Sequence, residues 1–187
     1  MRTSTDPQGG ERLVVRSREP RDLDKLAEIA AEVQHNDGYP GKHLRDLRAF
    51  LDSGDALGAW VAEFDGQVVA HVALHRSSLP VVMSRAREVL GAASDDELAV
   101  VARLIVDPGM RRVGVGRALL EQAAAAARSL DRHPILDVVT RYEAANALYR
   151  AASWTNAGEV EMRFADGTVL LSYVYLAPVI DKAAHRR

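Results

Sequence analysis

The chain has 187 residues, 48% of them hydrophobic and 27% charged, with a formal net charge of -2. That length suits one domain with a real core, and the near-balanced charge supplies no global field to draw in nucleic acid. There is no cysteine, which excludes disulfides, thiolate metal sites and a cysteine nucleophile together. No apolar run reaches membrane-spanning length, and Met1–Gly10 is polar, a disordered lead-in rather than a secretory signal. The expected setting is the cytoplasm, with neither membrane nor nucleic acid as partner.

Arg12 to Arg16 carries Leu13, Val14 and Val15 and reads as a first strand. Pro20 and Asp22 open a helix whose Leu23, Leu26, Ile29, Ala30 and Val33 recur on one face, ending near His35. Asn36 to Gly41 is dense in turn formers and reads as a loop. A second short helix places Leu44, Leu47, Phe50 and Leu51 together and stops at Ser53-Gly54. Ala59–Phe64 and Val68–His75 flank Asp65-Gly66, a hairpin signal. A helical insertion is expected around Met83 to Leu90. Ala99–Val106 is apolar almost throughout, as in a central strand covered on both faces. After an Ala-rich helix, Arg117–Leu130, come strand Ile135–Thr140, helix Glu143–Ala152, and a last antiparallel pair near 158–164 and 168–176. This order predicts an α/β, mixed α+β fold: a single domain over 11–177, a mixed sheet of about seven strands with helices on both faces, and a tail at 178–187. The apolar stretch Leu170–Leu176 leaves room for a homodimer.

The most telling segment is Arg111-Arg112-Val113-Gly114-Val115-Gly116, set between a strand and a helix. Glycines let the backbone turn tightly, and the first amides of a helix point outward with the positive end of its dipole, so a diphosphate fits there. Arg111, Arg112 and Arg117 add positive charge. A Walker A loop is excluded because no lysine follows the glycines, and a dinucleotide fingerprint because position 119 is leucine.

Arg-x-x-Gly-x-Gly in this setting resembles the coenzyme A diphosphate loop of the GNAT superfamily of N-acetyltransferases. Arg103-Leu104-Ile105-Val106-Asp107-Pro108 resembles that family's fourth strand and its exit, and Ala118-Leu119-Leu120 its following helix. Asn146-Ala147-Leu148-Tyr149, ending in Ser153-Trp154, resembles its second motif, with serine where glycine is usual. The resemblance covers roughly 11–177. More narrowly, Asp37-Gly38-Tyr39-Pro40, Gly58-Ala59-Trp60-Val61-Ala62 and Asp137-Val138-Val139 resemble a group of actinobacterial GNAT proteins of unassigned substrate.

The resemblance implies acetyl-CoA as cofactor and an amine of a small molecule or protein as acetyl acceptor. It implies that the coenzyme's arm lies along the backbone of Leu104, Ile105 and Val106, between splayed fourth and fifth strands, with one amide there polarising the thioester. The diphosphate would rest on the amides of Arg112, Val113, Gly114, Val115, Gly116 and Arg117, with Arg111 opening the turn. Asn146 would touch the arm. Tyr149 would protonate the departing thiolate, since a phenol with pKa near 10 can share a proton with a thiol. Some members carry a glutamate base on the fourth strand; here that part reads Ala99-Val100-Val101-Ala102, with Glu97 only at its start. Asp37, Tyr39, Glu63, His71 and His75 are the substitutes, with Asp37, Tyr39 and His71 the expected substrate contacts. Arg103 is expected to pair with an acid. Without cysteine, direct transfer in a ternary complex is favoured over a covalent intermediate. The alternatives are an acyl-CoA-binding module without catalysis and a nucleotide-binding protein using the same loop.

Overall fold

The computed structural model describes residues 13–41, 44–164 and 166–179. The expected lead-in at 1–10, Arg12 and the last eight residues of the expected tail lie outside them. The chain runs β1 (Leu13–Ser17), α1 (Leu23–Asp37), α2 (Leu47–Leu51), β2 (Ala56–Phe64), β3 (Gln67–His75), α3 (Pro80–Leu90), β4 (Leu98–Val106), α4 (Val115–Ser129), β5 (His133–Val139), α5 (Glu143–Ala151), β6 (Thr155–Arg163) and β7 (Val169–Leu176).

All seven strands join one sheet, ordered β1-β2-β3-β4-β5-β7-β6. β4 and β5 are parallel neighbours and the other pairings are antiparallel. The mixed sheet with helices on both faces is therefore as expected. No helix among the described residues is long and apolar enough to cross a membrane.

Strand alternation sends one set of side chains to each face. On one face Ala62, Ala70, Val72, Leu74, Val101, Leu136 and Val138 form a core with Leu119, Leu120, Ala123 and Ala127 of α4 and with Tyr149 and Trp154. Small alanines bring α4 close to the sheet. On the other face α1 packs Leu23, Leu26, Ile29, Ala30 and Val33 with Val61 and Ile105. Beside it α3 packs Val82, Met83 and Ala86 over Val100, Ile135, Val160 and Val174.

Several boundaries have local causes. α1 runs two residues past His35 and stops where Gly38 turns left-handed (φ 75°). α2 begins at Leu47, not Leu44, because Asp46 caps it by accepting from the Ala49 amide at 2.8 Å. The β2–β3 turn uses positive φ at both Asp65 and Gly66, the twist a two-residue hairpin requires. α4 starts at Val115, two residues before the expected Arg117, because Gly114 (φ 89°) already serves as its cap.

Candidate active site

β4 and β5 pair only through Leu98–His133, Ala99–Pro134 and Val100–Ile135. Beyond those pairs the strand partner of β4 is β3, and that of β5 is β7. A bulge explains the parting. The β3–β4 register slips between His71–Ile105 and Ala73–Ala102, and Arg103 sits there with φ 56°. A bulge bends its strand and raises local twist, so β4 is turned away from β5. The result is a wedge in the middle of the sheet, with backbone groups of both strands left without a strand partner.

The glycine turn closes the wide end of this wedge. A Cβ built on Gly116 would lie 3.4 Å from Leu148 of α5 and 3.5 Å from Val106 at the end of β4. The start of α4 thus meets the exit of β4 and the flank of α5. The first bond into the helix runs from the Ala118 amide to the Gly114 carbonyl at 3.0 Å, leaving the Val115, Gly116 and Arg117 amides without an intrahelical acceptor. Arg111, Arg112, Val113, Gly114 and Arg117 are exposed, and Val115 is buried. Arg111 is ion-paired with Asp37, so the turn is tethered to the end of α1. Arg117 pairs back to Glu121 at 2.9 Å.

α5 carries the second motif. Tyr149 is buried against Tyr175 and Trp154, with ring centroids at 5.5 and 6.4 Å. Burial pushes its hydroxyl above the usual tyrosine range, and nearby Tyr39 and Asp137 add to that. Ser153 adopts the left-handed conformation (φ 63°) where the family motif usually has glycine, so the helix still ends in the same turn. Asn146 is fully committed to protein groups. Its Nδ2 donates to the carbonyls of Tyr142 at 2.9 Å, Thr140 at 3.2 Å and Val139 at 3.4 Å, while its Oδ1 accepts from the Tyr175 hydroxyl at 3.1 Å.

The remaining expected residues separate. Tyr39 lies at the wedge: it is hydrogen-bonded to the backbone of Arg103, packs edge-on against Phe50 and Tyr142, and is also raised by burial. Asp37 is held at the rim by Arg111. Glu63 is taken by Arg16, which also binds Asp22. His75 faces Asp55 at 3.3 Å. His71 is wholly buried, its Nδ1 bonded to the Arg103 carbonyl at 3.0 Å, and burial lowers its pKa to about 4. A carbonyl only accepts, so Nδ1 carries the proton and Nε2 presents a lone pair. Among the described residues Arg103 forms no ion pair with an acid. Its guanidinium stacks on the Phe50 ring at 4.9 Å, and one buried Nη1 has no hydrogen-bond partner among them.

Asp137 on β5 has no place in the sequence reading of the site. It alternates with Leu136 and Val138, so it faces away from the α4 core. Ser78 Oγ donates to it at 3.0 Å, and burial raises its pKa. An aspartate inside the otherwise apolar run 135–139 was the available signal: a strand covered on both faces does not carry a charge without a partner or a task.

The chain belongs to the acetyltransferase (GNAT) family, which matches residues 23–153, and it is an acetyltransferase enzyme. Among curated protein sequences none matches it. Among solved structures it is similar to Arabidopsis thaliana NAA60 in complex with acetyl-CoA (18% identity, TM-score 0.65, 90% of this chain and 100% of the other). It is also similar to an acetyltransferase of the GNAT family from Streptococcus pneumoniae (19%, TM-score 0.63, 88% and 99%) and to an N-acetyltransferase from Staphylococcus aureus (17%, TM-score 0.65, 88% and 97%). At these identities the likeness is one of fold.

Proposed function

We propose that the protein is an acetyl-CoA-dependent N-acetyltransferase that moves the acetyl group to a primary amine of a small molecule or protein, directly within a ternary complex. The observation that carries this reading is the wedge between β4 and β5, with the start of α4 at its wide end and Tyr149 on its flank. The open edge of β4 at Leu104, Ile105 and Val106 suits the amides of a pantetheine arm, taken up like an added strand. The free amides at the start of α4, with Arg111 and Arg112 beside them, suit the diphosphate. One amide at the bulge stabilises the developing oxyanion, and Tyr149 gives its proton to the leaving sulfur. The raised pKa of Tyr149 keeps that proton in place until sulfur becomes basic enough to take it. Asn146 serves this reading by fixing the β5–α5 corner that carries Tyr149, not by direct contact. Phe164, Val169 and Leu171 leave an apolar surface near β7, where the same reading places pairing of two copies, checked by sedimentation.

The test joins calorimetry with coenzyme A to thiol release from acetyl-CoA over a panel of amines. Tyr149→Phe should lower turnover by about 100-fold or more while coenzyme A affinity stays within about twofold. No binding of millimolar coenzyme A by folded wild type overturns the reading. Binding with no amine-dependent thiol release would instead favour a non-catalytic acyl-CoA-binding module.

A further inference from the structure

Asp137 is a half-buried carboxylate that no lysine or arginine among the described residues ion-pairs. Among the described residues its hydrogen bonds come from neutral donors, the Ser78 hydroxyl at 3.0 Å and its own backbone amide. A carboxylate in this state is costly unless a positive group joins it. Ser78 from the loop before α3 donates to it, and its charge is felt by Tyr39 from the loop after α1 and by Tyr149 from α5. None is charged at neutral pH. Asp137 lies past the last β4–β5 pair, where the wedge has opened, on the sheet face opposite α4. Tyr39 in turn packs edge-on against Phe50 at 6.2 Å and Tyr142 at 5.9 Å, rings that carry the guanidiniums of Arg103 and Arg141 on their faces. A half-buried carboxylate beside two tyrosines, at the edge of an opening in the sheet, is a setting for an organic cation.

We infer that Asp137 receives the acceptor as an alkylammonium ion and takes the proton that frees its nitrogen for attack. This rests on the acetyl-transfer reading above and supplies the base that reading lacks. The protons balance as follows. Of the three on the ammonium nitrogen, one passes to Asp137 and then to solvent. The freed lone pair forms the C–N bond at the thioester carbon, and the C–S bond breaks. Tyr149 protonates the sulfur and regains a proton from the second N–H, and the third stays on the amide. Ser78 is a positioning residue: its hydrogen bond favours the ionised carboxylate, so it sets the pH at which Asp137 can accept.

The experiment compares wild type, Asp137→Asn, Asp137→Glu and Ser78→Ala, all loaded with coenzyme A or acetyl-CoA, with n-butylamine as the probe. Thermal unfolding of the coenzyme A complex reads binding, and thiol release across pH reads turnover. In wild type, n-butylammonium should raise the melting temperature, and activity should fall toward acid along a limb above the ordinary carboxylate range. Asp137→Asn should keep coenzyme A affinity, lose the n-butylammonium shift, drop thiol release at least 100-fold and lose the acid limb. Asp137→Glu should restore part of the rate. Ser78→Ala should move the acid limb to higher pH. Asp137→Asn should fold as well as wild type, because it removes an ionised group the fold does not pair. The inference is overturned if Asp137→Asn keeps the n-butylammonium shift or a rate within threefold of wild type. It is equally overturned if coenzyme A-loaded wild type ignores n-butylammonium. Failure of wild type to bind coenzyme A at all would strike the acetyl-transfer reading instead.

Discussion

Replacing Asn146 by alanine separates a structural role from a ligand contact. In the fold Asn146 is 2% exposed and every polar atom of its amide is engaged by protein groups. Two of its acceptors lose little on truncation. The Val139 carbonyl still receives the Tyr142 amide at 3.0 Å, and the Tyr142 carbonyl still receives the Asn146 amide at 3.0 Å. The Thr140 carbonyl loses the donor at 3.2 Å, and the Tyr175 hydroxyl, on a side chain 1% exposed, loses its acceptor. At about 1–3 kcal/mol for each orphaned buried group, the loss should be about 3 kcal/mol. For a chain of this size that lowers the melting temperature by roughly 6–12 °C. Urea unfolding at pH 7 measures it. Tyr175→Phe removes the hydroxyl that Asn146 Oδ1 accepts from, so the double variant should cost about 1–2 kcal/mol less than the two singles together. A loss under about 1 kcal/mol with strict additivity would refute the account. So would unchanged stability joined to a large loss of coenzyme A affinity, which would return Asn146 to the list of direct contacts.

Two further outcomes follow from backbone and burial. Burial holds the His71 pKa at about 4 against its ordinary 6.5. Folding thus excludes the proton, so the stability contribution is full above pH 6.5 and is lost as pH falls toward 4, roughly 3 kcal/mol in all. His75 and His133 are shifted the same way. Urea unfolding across that window should show a shallower pH slope in His71→Gln than in wild type, and identical slopes would refute the assignment. Gly114→Ala meets open space but must hold φ 89°, so its cost is backbone strain, about 1–2 kcal/mol. Calorimetry should show weaker coenzyme A binding for the same variant, because the left-handed cap aims the first amides of α4; unchanged affinity would detach that turn from the diphosphate.

What could be read from the sequence was local. The spacing of Leu23, Leu26, Ile29, Ala30 and Val33 marks the buried face of α1, because a 3.6-residue period needs no knowledge of the partner. Asp65-Gly66 announced its own turn, and Gly114 the left-handed turn from which α4 starts. What stayed hidden depends on distant neighbours. The motif says which helix carries Asn146, not that its amide binds the carbonyls of Tyr142 and Thr140 and the Tyr175 hydroxyl. Arg103 was expected to find an acid; the bulge instead lifts it onto Phe50, a partner 53 positions earlier in a helix with no pattern linking it to β4. Asp137 stands out as the charge in the run 135–139, but that run does not tell which of its residues borders an opening in the sheet.

That opening connects these features. Parallel strands β4 and β5, flanked by helices on both faces, would normally pair along their length; here pairing ends after three residues, at Val100. The sheet gives up several backbone hydrogen bonds, each able to contribute about 0.5–1.5 kcal/mol. It also accepts a left-handed arginine and a half-buried carboxylate that no described lysine or arginine ion-pairs. A sequence selected only for stability would straighten β4 and put an apolar residue at 137. Straightening alone would bring Asp137 against a paired β4 edge, and removing the aspartate alone would leave unpaired amides facing an apolar wall. The two defects suit one another only if something with amide groups fills the wedge and something cationic meets the carboxylate. Asp137→Val should therefore raise the unfolding temperature while abolishing amine-dependent thiol release. A variant that is both less stable and inactive would mean that Asp137 holds the sheet together and does no chemistry.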